Sequence, residues 1–302
     1  MGLLILFIGA GFLLGLWPRT RGLAPYVEKM VTAFLIVMVL AMGMQLGGSE
    51  EVMASLRALG YRLALLSLAP ILFTIVAVML VQRLMGTKFA GGRPQDGEGR
   101  GDVSLSLLVS STLFLGVLVG RYLPAVSRTI DTEAVILYSL SALFVGIGVG
   151  LGQNVHVFRQ IGELGLRVLL LPLATVVASV AGGVLAASFG GISYGLGAAV
   201  GAGMGYYTLT AALITGSSGP EAGSLAFVAN VVRELVTITG APLLARLGVM
   251  VPIAVGGCTS LDSSLPALEW SLSKEMVVVA IVSGFVLSVL APVLIPLLLL
   301  WG

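Results

Sequence analysis

The sequence predicts an all-α polytopic membrane protein of about eight transmembrane helices plus two re-entrant or broken-helix hairpins, built from inverted repeats. Three observations carry this. Of 302 residues, 58% are hydrophobic and only 10% charged, with a mean hydropathy of +1.09, where soluble domains carry about 25% charge. Apolar runs of roughly 20 residues, the length a helix needs to cross a bilayer, recur with short connections. One fixed shift of 105 residues also lays the first third of the chain over the second.

The first run, 2–17, lacks a basic start and leads directly into Trp17-Pro18-Arg19, so it reads as a short first span and not as a cleaved signal. Further spans follow at 26–47, 61–84, 104–122, 132–152 and 164–189. Residues 1–85 then form one scaffold repeat and 104–190 a second. Between them, 86–103 is a polar cytoplasmic linker, because its Gly, Pro and mixed charge suit a flexible segment. Asp131 and Glu133 fit the first turn of the fifth span, and His156 falls in a polar loop.

Adding 105 carries Gly11 to Gly116, Gly15 to Gly120, Trp17 to Tyr122, Gly43 to Gly148, Gly47 to Gly152, Gly60 to Gly165 and Arg62 to Arg167. Three spans per repeat is an odd number. The second copy must therefore enter the membrane from the opposite side, as in many secondary transporters. The glycines spaced by four also make close helix-packing faces, and on the first and fourth spans these permit a homodimer without requiring one. Lys and Arg set the orientation. Nine (Arg19, Arg21, Lys29, Arg83, Lys88, Arg93, Arg100, Arg159, Arg167) lie in or beside the connections after the first, third and fifth spans, against four (Arg57, Arg62, Arg121, Arg128) after the second and fourth. The first set is cytoplasmic by the positive-inside rule, which puts the N-terminus outside.

Residues 191–302 form the expected transport core. Gly, Ser and Pro clusters interrupt its apolar segments at mid-membrane depth, and broken backbone survives there only when buried in protein or facing a watery cavity. The segment 192–223 reads as one hairpin, 225–247 as the seventh span, 249–269 as a second hairpin and 275–299 as the eighth span. Adding 50 takes Ala241-Pro242-Leu243-Leu244 to Ala291-Pro292-Val293-Leu294, so each unit is a hairpin plus a crossing helix, and both termini lie outside. Ten full spans would fit the same stretch.

Charge inside such sequence needs a reason, since an acid at the bilayer centre costs roughly 3 kcal/mol on insertion scales. Asn230 and Glu234 share one helix face, with Arg233 turned about 100° away. The carboxylate suits an ammonium group, a proton, Na⁺ or a structural ion pair; Arg233 suits a substrate carboxylate or a neutralising role. Asp262 lies among Thr259, Ser260, Ser263 and Ser264, a polar cup at a helix break or, alternatively, a helix N-cap. Tyr206, Tyr207, Thr208 and Thr210 follow Gly201, Gly203 and Gly205, and supply hydroxyls and a cation–π surface to an opposite wall. Glu221 sits beside Gly219-Pro220 as a turn, gating or coupling acid, and Gln45 near the end of the second span suits a cavity lining.

Several classes fall away. The net charge of +2 gives no nucleic-acid footprint. Cys258 is the only cysteine and His156 the only histidine, which excludes an intrachain disulfide and a thiolate metal cluster; no metal and no cofactor is expected. No phosphate-binding Gly-x-x-x-x-Gly-Lys-[Ser/Thr] loop occurs. The residues predict a secondary transporter of a cationic solute. An Na⁺- or proton-coupled carrier of another small amino or organic acid, and more remotely an intramembrane acid-pair hydrolase, compete with that reading.

The C-terminal 110 residues resemble the bacterial lysine exporter family of the LysO type. The resemblance rests on Gly-Tyr-Tyr-Thr-Leu-Thr at 205–210, Gly-Pro-Glu-Ala-Gly-Ser at 219–224, Arg233-Glu234-Leu235, and Thr259-Ser260-Leu261-Asp262 with Leu265-Pro266. It implies export of L-lysine and its analogues across the bacterial cytoplasmic membrane, with H⁺ as counter-ion. It also implies that Glu234 and Asp262 occupy the family's intramembrane acidic positions. The first 190 residues resemble the family in span pattern and length.

Overall fold

A computed structural model describes residues 2–17, 24–50, 60–85, 103–123, 129–153 and 168–301. The polar linker up to residue 102, His156 and most of the loop arginines counted above lie outside the described residues. Among those residues the secondary structure is entirely helical. That is what a chain in lipid requires, since helices satisfy their own backbone. The helices are α1 (Gly2–Gly15), α2 (Ala24–Gly48), α3 (Gly60–Met85), α4 (Val103–Tyr122), α5 (Thr132–Gln153) and α6 (Leu170–Gly190). There follow α7 (Tyr194–Ala202), α8 (Tyr207–Ser218), α9 (Pro220–Leu247), α10 (Val251–Gly256), a 3₁₀ segment (Gly257–Leu261), α11 (Leu265–Ser271) and α12 (Lys274–Leu299).

Six helices, α2, α3, α5, α6, α9 and α12, are long and apolar enough to cross a membrane. The chain is a polytopic membrane protein. The expected first and fourth spans contain the shorter apolar stretches Leu6–Gly15 and Leu107–Tyr122. The seventh span begins at Pro220, five residues earlier than expected. Proline at the first helical position costs no hydrogen bond there and fixes a helical φ, so the helix starts directly after Gly219.

The glycines spaced by four in α1, α2, α4 and α5 pack against helices of the same chain. A Cβ on Gly11 or Gly15 would fall on the carbonyl oxygens of Val145 or Val149 of α5, and one on Gly116 or Gly120 would fall on those of Leu40 or Met44 of α2. These pairs exchange under the 105-residue shift: Gly11 and Val145 become Gly116 and Leu40, and Gly15 and Val149 become Gly120 and Met44. Gly43 against Leu113 and Gly47 against Val117 likewise become Gly148 against Ile8 and Gly152 against Phe12. These four-spaced glycines therefore meet helices of the same chain at backbone distance. Both contact series advance together along the chain, so α1 runs parallel to α5 and α2 parallel to α4.

The other helices surround the two breaks. Gly182 of α6 meets Pro70 of α3 and Gly190 meets Arg62, so α3 and α6 are antiparallel. In turn α6 receives α7 antiparallel, Gly183 against Gly197 and Ser179 against Gly201. Farther on, α8 pairs with the first half of α9, where the Tyr207 and Phe227 rings stack edge to face at 5.3 Å and Thr215 fills the space over Gly223. The end of α9 returns to α3: a Cβ on Gly248 would strike Gln82. The second broken stretch, from α10 to α11, lies along α12, with Leu261 over Gly284.

Candidate functional site

The two breaks meet in the middle of the protein. The first, 203–206, carries Met204 at φ +45° and Gly205 at φ +91°; the second opens on Gly257 at φ +60°. Positive φ is costly for a residue with a Cβ, which is why glycine dominates both. The tips are joined by backbone: the amide of Cys258 donates to the carbonyl of Met204 at 2.8 Å. A Cβ on Gly257 would collide with that same carbonyl. Cys258 is buried, as its small size and apolar setting predict.

Each break leaves the last carbonyls of a half-helix without an intrahelical partner. Arg233, 3% exposed, answers the second: its Nε donates to Val255 O at 2.8 Å and its Nη2 to Ala254 O at 3.0 Å. Its Nη1 donates to Ser179 Oγ at 2.5 Å, and the Ser179 hydroxyl in turn donates to Gly201 O at 2.7 Å, at the end of α7. One guanidinium thus faces the C-terminal ends of α7 and α10, where the helix dipole favours a cation. Asn230 secures the first tip: its Oδ1 accepts from the Gly205 amide at 2.8 Å, and its Nδ2 donates to Val200 O at 3.2 Å and Ala226 O at 3.0 Å. Thr210 donates to Tyr206 O at 2.7 Å. At the second tip Thr259 bonds Gly256 O at 2.9 Å and shares a hydrogen bond with Ser264 at 2.8 Å, while Ser260 bonds Gly257 O at 2.7 Å and Ala280 O at 3.0 Å.

What remains for chemistry is a smaller set. Glu234 is 1% exposed, one position along α9 from Arg233. Ser263 donates to Glu234 Oε1 and also lies 3.1 Å from Asp262 Oδ1, so a single hydroxyl bridges the two carboxylates. Asp262 also takes the Ser263 amide at 2.6 Å. It caps no helix, since α11 starts at Leu265 without a side-chain cap. Asp262 and Ser263 are partly exposed, as is Tyr207, whose ring packs edge-on against Phe227.

The structure therefore brings Glu234, Asp262 and Ser263 together, with Asn230, Arg233, Thr210, Thr259, Ser260 and Ser264 as the frame that holds them and Tyr207 packed on Phe227 of the same helix, α9. Tyr206 supplies a backbone carbonyl to this frame. Thr208 is exposed, Glu221 is exposed in the first turn of α9, and Gln45 is exposed near the end of α2. Those three stand outside the buried cluster. Sequence reasoning missed Ser179, although a hydroxyl in mid-span of an otherwise apolar helix was the available signal. It also missed the ion pair of Glu269 and Lys274, at 2.7 Å.

The profile of the lysine exporter LysO family matches residues 5–94 and 110–299. The chain is 29% identical over 300 residues to the lysine exporter LysO of Escherichia coli (strain K12), covering 97% of each chain. It is also 30% identical over 158 residues to a putative lysine exporter of Haemophilus influenzae (strain ATCC 51907 / DSM 11121 / KW20 / Rd), which covers 52% of this chain and 80% of that one. No solved structure matches. With the family's profile covering residues 5–94 and 110–299, nearly the whole sequence, the chain belongs to the lysine exporter LysO family.

Proposed function

We propose that the protein exports L-lysine, or a related cationic amino acid, across the bacterial cytoplasmic membrane in exchange for protons. The observation that carries this is the pair of carboxylates, Glu234 and Asp262, bridged by Ser263 where the two helix breaks meet. Arg233 turns its donors to carbonyls, so it is engaged in holding the tips and the acids define the character of the site. An ammonium group satisfies such acids, and so does a proton. Competition between the two supplies coupling without a phosphate-driven domain. Outward movement of one positive charge against an inside-negative potential costs about 2.3 kcal/mol per 100 mV. One inward proton cancels that charge and two make the potential assist.

Alternating access follows from the architecture we infer. The exchanging glycine contacts support an inverted pair of three-helix repeats. Both hairpins read as re-entrant. The start of α7 neighbours the start of α3, through α6, whereas Gly248 neighbours Gln82 at the end of α3. Because α9 links the two faces, α8 must return to the face from which α7 entered. The second hairpin returns likewise: α12 begins at Lys274, beside Gly150 near the end of α5. The hairpins thus enter from opposite faces, and with the ends of α3, α5 and α9 cytoplasmic, both termini lie outside. Backbone-close packing of α6 on α7 of the first hairpin, and of α3 on α6, favours grouping them with the core, leaving α1, α2, α4 and α5 as the frame.

The test is labelled lysine flux in proteoliposomes under an imposed pH gradient, comparing the parent with Glu234→Gln and Asp262→Asn. Proton-driven flux that both variants lose is the expected result. Flux that follows an Na⁺ gradient instead would replace the coupling ion, and no lysine flux under either gradient would overturn the substrate.

A further inference from the structure

The central acids leave one charged pair of the core unused. Glu269 and Lys274 flank the turn between α11 and α12, with Lys274 Nζ 2.7 Å from Glu269 Oε1. Glu269 is nine-tenths buried, at 10% exposure, while Lys274 retains 36%. Only one oxygen of the carboxylate takes the lysine. The other, Oε2, is buried with no hydrogen-bond partner among the described residues. A buried carboxylate loses its hydration on both oxygens, and one ion pair offsets only part of that. A half-satisfied acid of this kind calls for an explanation.

Its position offers one. Glu269 is on the same leg of the second hairpin as Asp262, seven residues farther toward the face where α5 ends. There α5 comes close: a Cβ on Gly150 would stand 3.1 Å from Lys274 Nζ and 3.4 Å from Glu269 Oε1. The pair therefore sits between that face and the central acids, against a helix of the frame.

We propose that Glu269 is an outlying docking carboxylate for a primary alkylammonium, the charged group of the exported amino acid, and that Lys274 occupies it as a tethered surrogate. The inference rests on the export reading above. Lys274 presents to Oε1 the same –CH₂–NH₃⁺ group that a lysine side chain presents, and Oε2 remains for a second donor. Because Lys274 is the more exposed partner and has a flexible stem, an incoming ammonium displaces it and no empty anionic hole is ever exposed. From Glu269 the ligand has a second acid, Asp262, farther up the same leg.

Labelled lysine uptake into inverted membrane vesicles, whose outer surface is the cytoplasmic face, separates this from a purely structural ion pair. Removing the docking acid by Glu269→Gln should raise the KM for lysine about fivefold, the scale of one partly buried ion pair. Removing the competitor by Lys274→Met should lower KM. The two variants move KM in opposite directions. A structural pair predicts loss in the same direction for both, and that result overturns the proposal. If Glu269→Gln fails to reach the membrane, Lys274→Met decides alone, an unchanged or raised KM being the overturning outcome. Parent vesicles that take up no lysine overturn the export reading, and this inference with it. Parent uptake that Asp262→Asn abolishes, with KM unmoved in both pair variants, overturns this inference alone.

Discussion

The two helix breaks are built from similar parts and use them differently. At the first, Asn230, Thr210 and Ser179 turn toward backbone: Asn230 to Gly205, Val200 and Ala226, Thr210 to Tyr206, Ser179 to Gly201. At the second, Thr259 and Ser260 do the same and Ser264 bonds the Thr259 hydroxyl, but Ser263 reaches across to Glu234 while also bonding Asp262, and both Asp262 and Ser263 stay partly exposed. On the proposed function, the first tip serves as a wall and the second carries the chemistry. The lesson is that a cluster of Ser, Thr and Asn at a break is needed merely to satisfy the backbone that the break frees. Only residues left over after that can serve a ligand.

The strongest way to break the comparison is to remove the residue that serves both tips. Arg233→Met orphans Ala254 O and Val255 O and removes the donor to Ser179. At about 1–3 kcal/mol for each buried group left unmade, the loss should be about 3 kcal/mol or more, enough to abolish folded protein in a marginal chain. Thermal unfolding in detergent checks it. Arg233→Lys keeps the charge but lacks the planar fork, so it should fall between the two. An Arg233→Met protein as stable as the parent would show that the half-helix ends need no cation.

A second pair of variants separates wall from chemistry. Asp262→Asn preserves size and an acceptor for the Ser263 amide, so stability should stay within about 1 kcal/mol of the parent while lysine flux drops to that of empty liposomes. Asn230→Ala should cost about 2 kcal/mol, because Gly205 N–H and two carbonyl contacts lose their partner, and flux should fall only with the amount of folded protein. Equal flux per folded molecule in both variants would erase the distinction.

The sequence made the membrane class and the positions of the six long apolar helices legible because each rests on runs of apolar composition. Glu234 and Asp262 were legible too, since an acid in apolar sequence is rare. The sorting of hydroxyls into wall and site was not. Thr259 and Ser263 are chemically alike and four residues apart, and what divides them is whether an orphan carbonyl lies within 3 Å, a property of the folded tips. The same holds for Gly11 and Gly116: spacing identified a packing face, but its occupation by α5 and α2 depends on tertiary contacts. Glu269 escaped notice because it sits near a helix end, where an acid is unremarkable until burial is known.

Glycine separates the second tip from the outer turn of the first hairpin on a finer scale. Gly257 and Gly219 both have positive φ, +60° and +90°. A Cβ at Gly257 runs into Met204 O, whereas one at Gly219 meets nothing within 4 Å. Gly219→Ala should therefore cost only the backbone strain of about 1–2 kcal/mol. Gly257→Ala adds the collision at the crossing and should cost measurably more, with flux falling alongside stability. If the melting temperatures of the two variants coincide, the tips do not depend on close backbone contact.

The smallest effects belong to the expected site residues that the fold leaves outside the cluster. Thr208 is exposed on α8, one position beyond Tyr207, and a helix turns about 100° per residue, so its hydroxyl leaves on a different side from the phenol. Glu221 is exposed in the first turn of α9, where an acid gains a few tenths of a kcal/mol from the helix dipole. Thr208→Val and Glu221→Gln should each change lysine flux by less than about twofold and stability by about 0.5 kcal/mol or less. The comparison becomes sharper if they differ: a large flux loss in Glu221→Gln with stability intact would make the outer end of the first hairpin a gate. The wall would then move even though its tip is fixed.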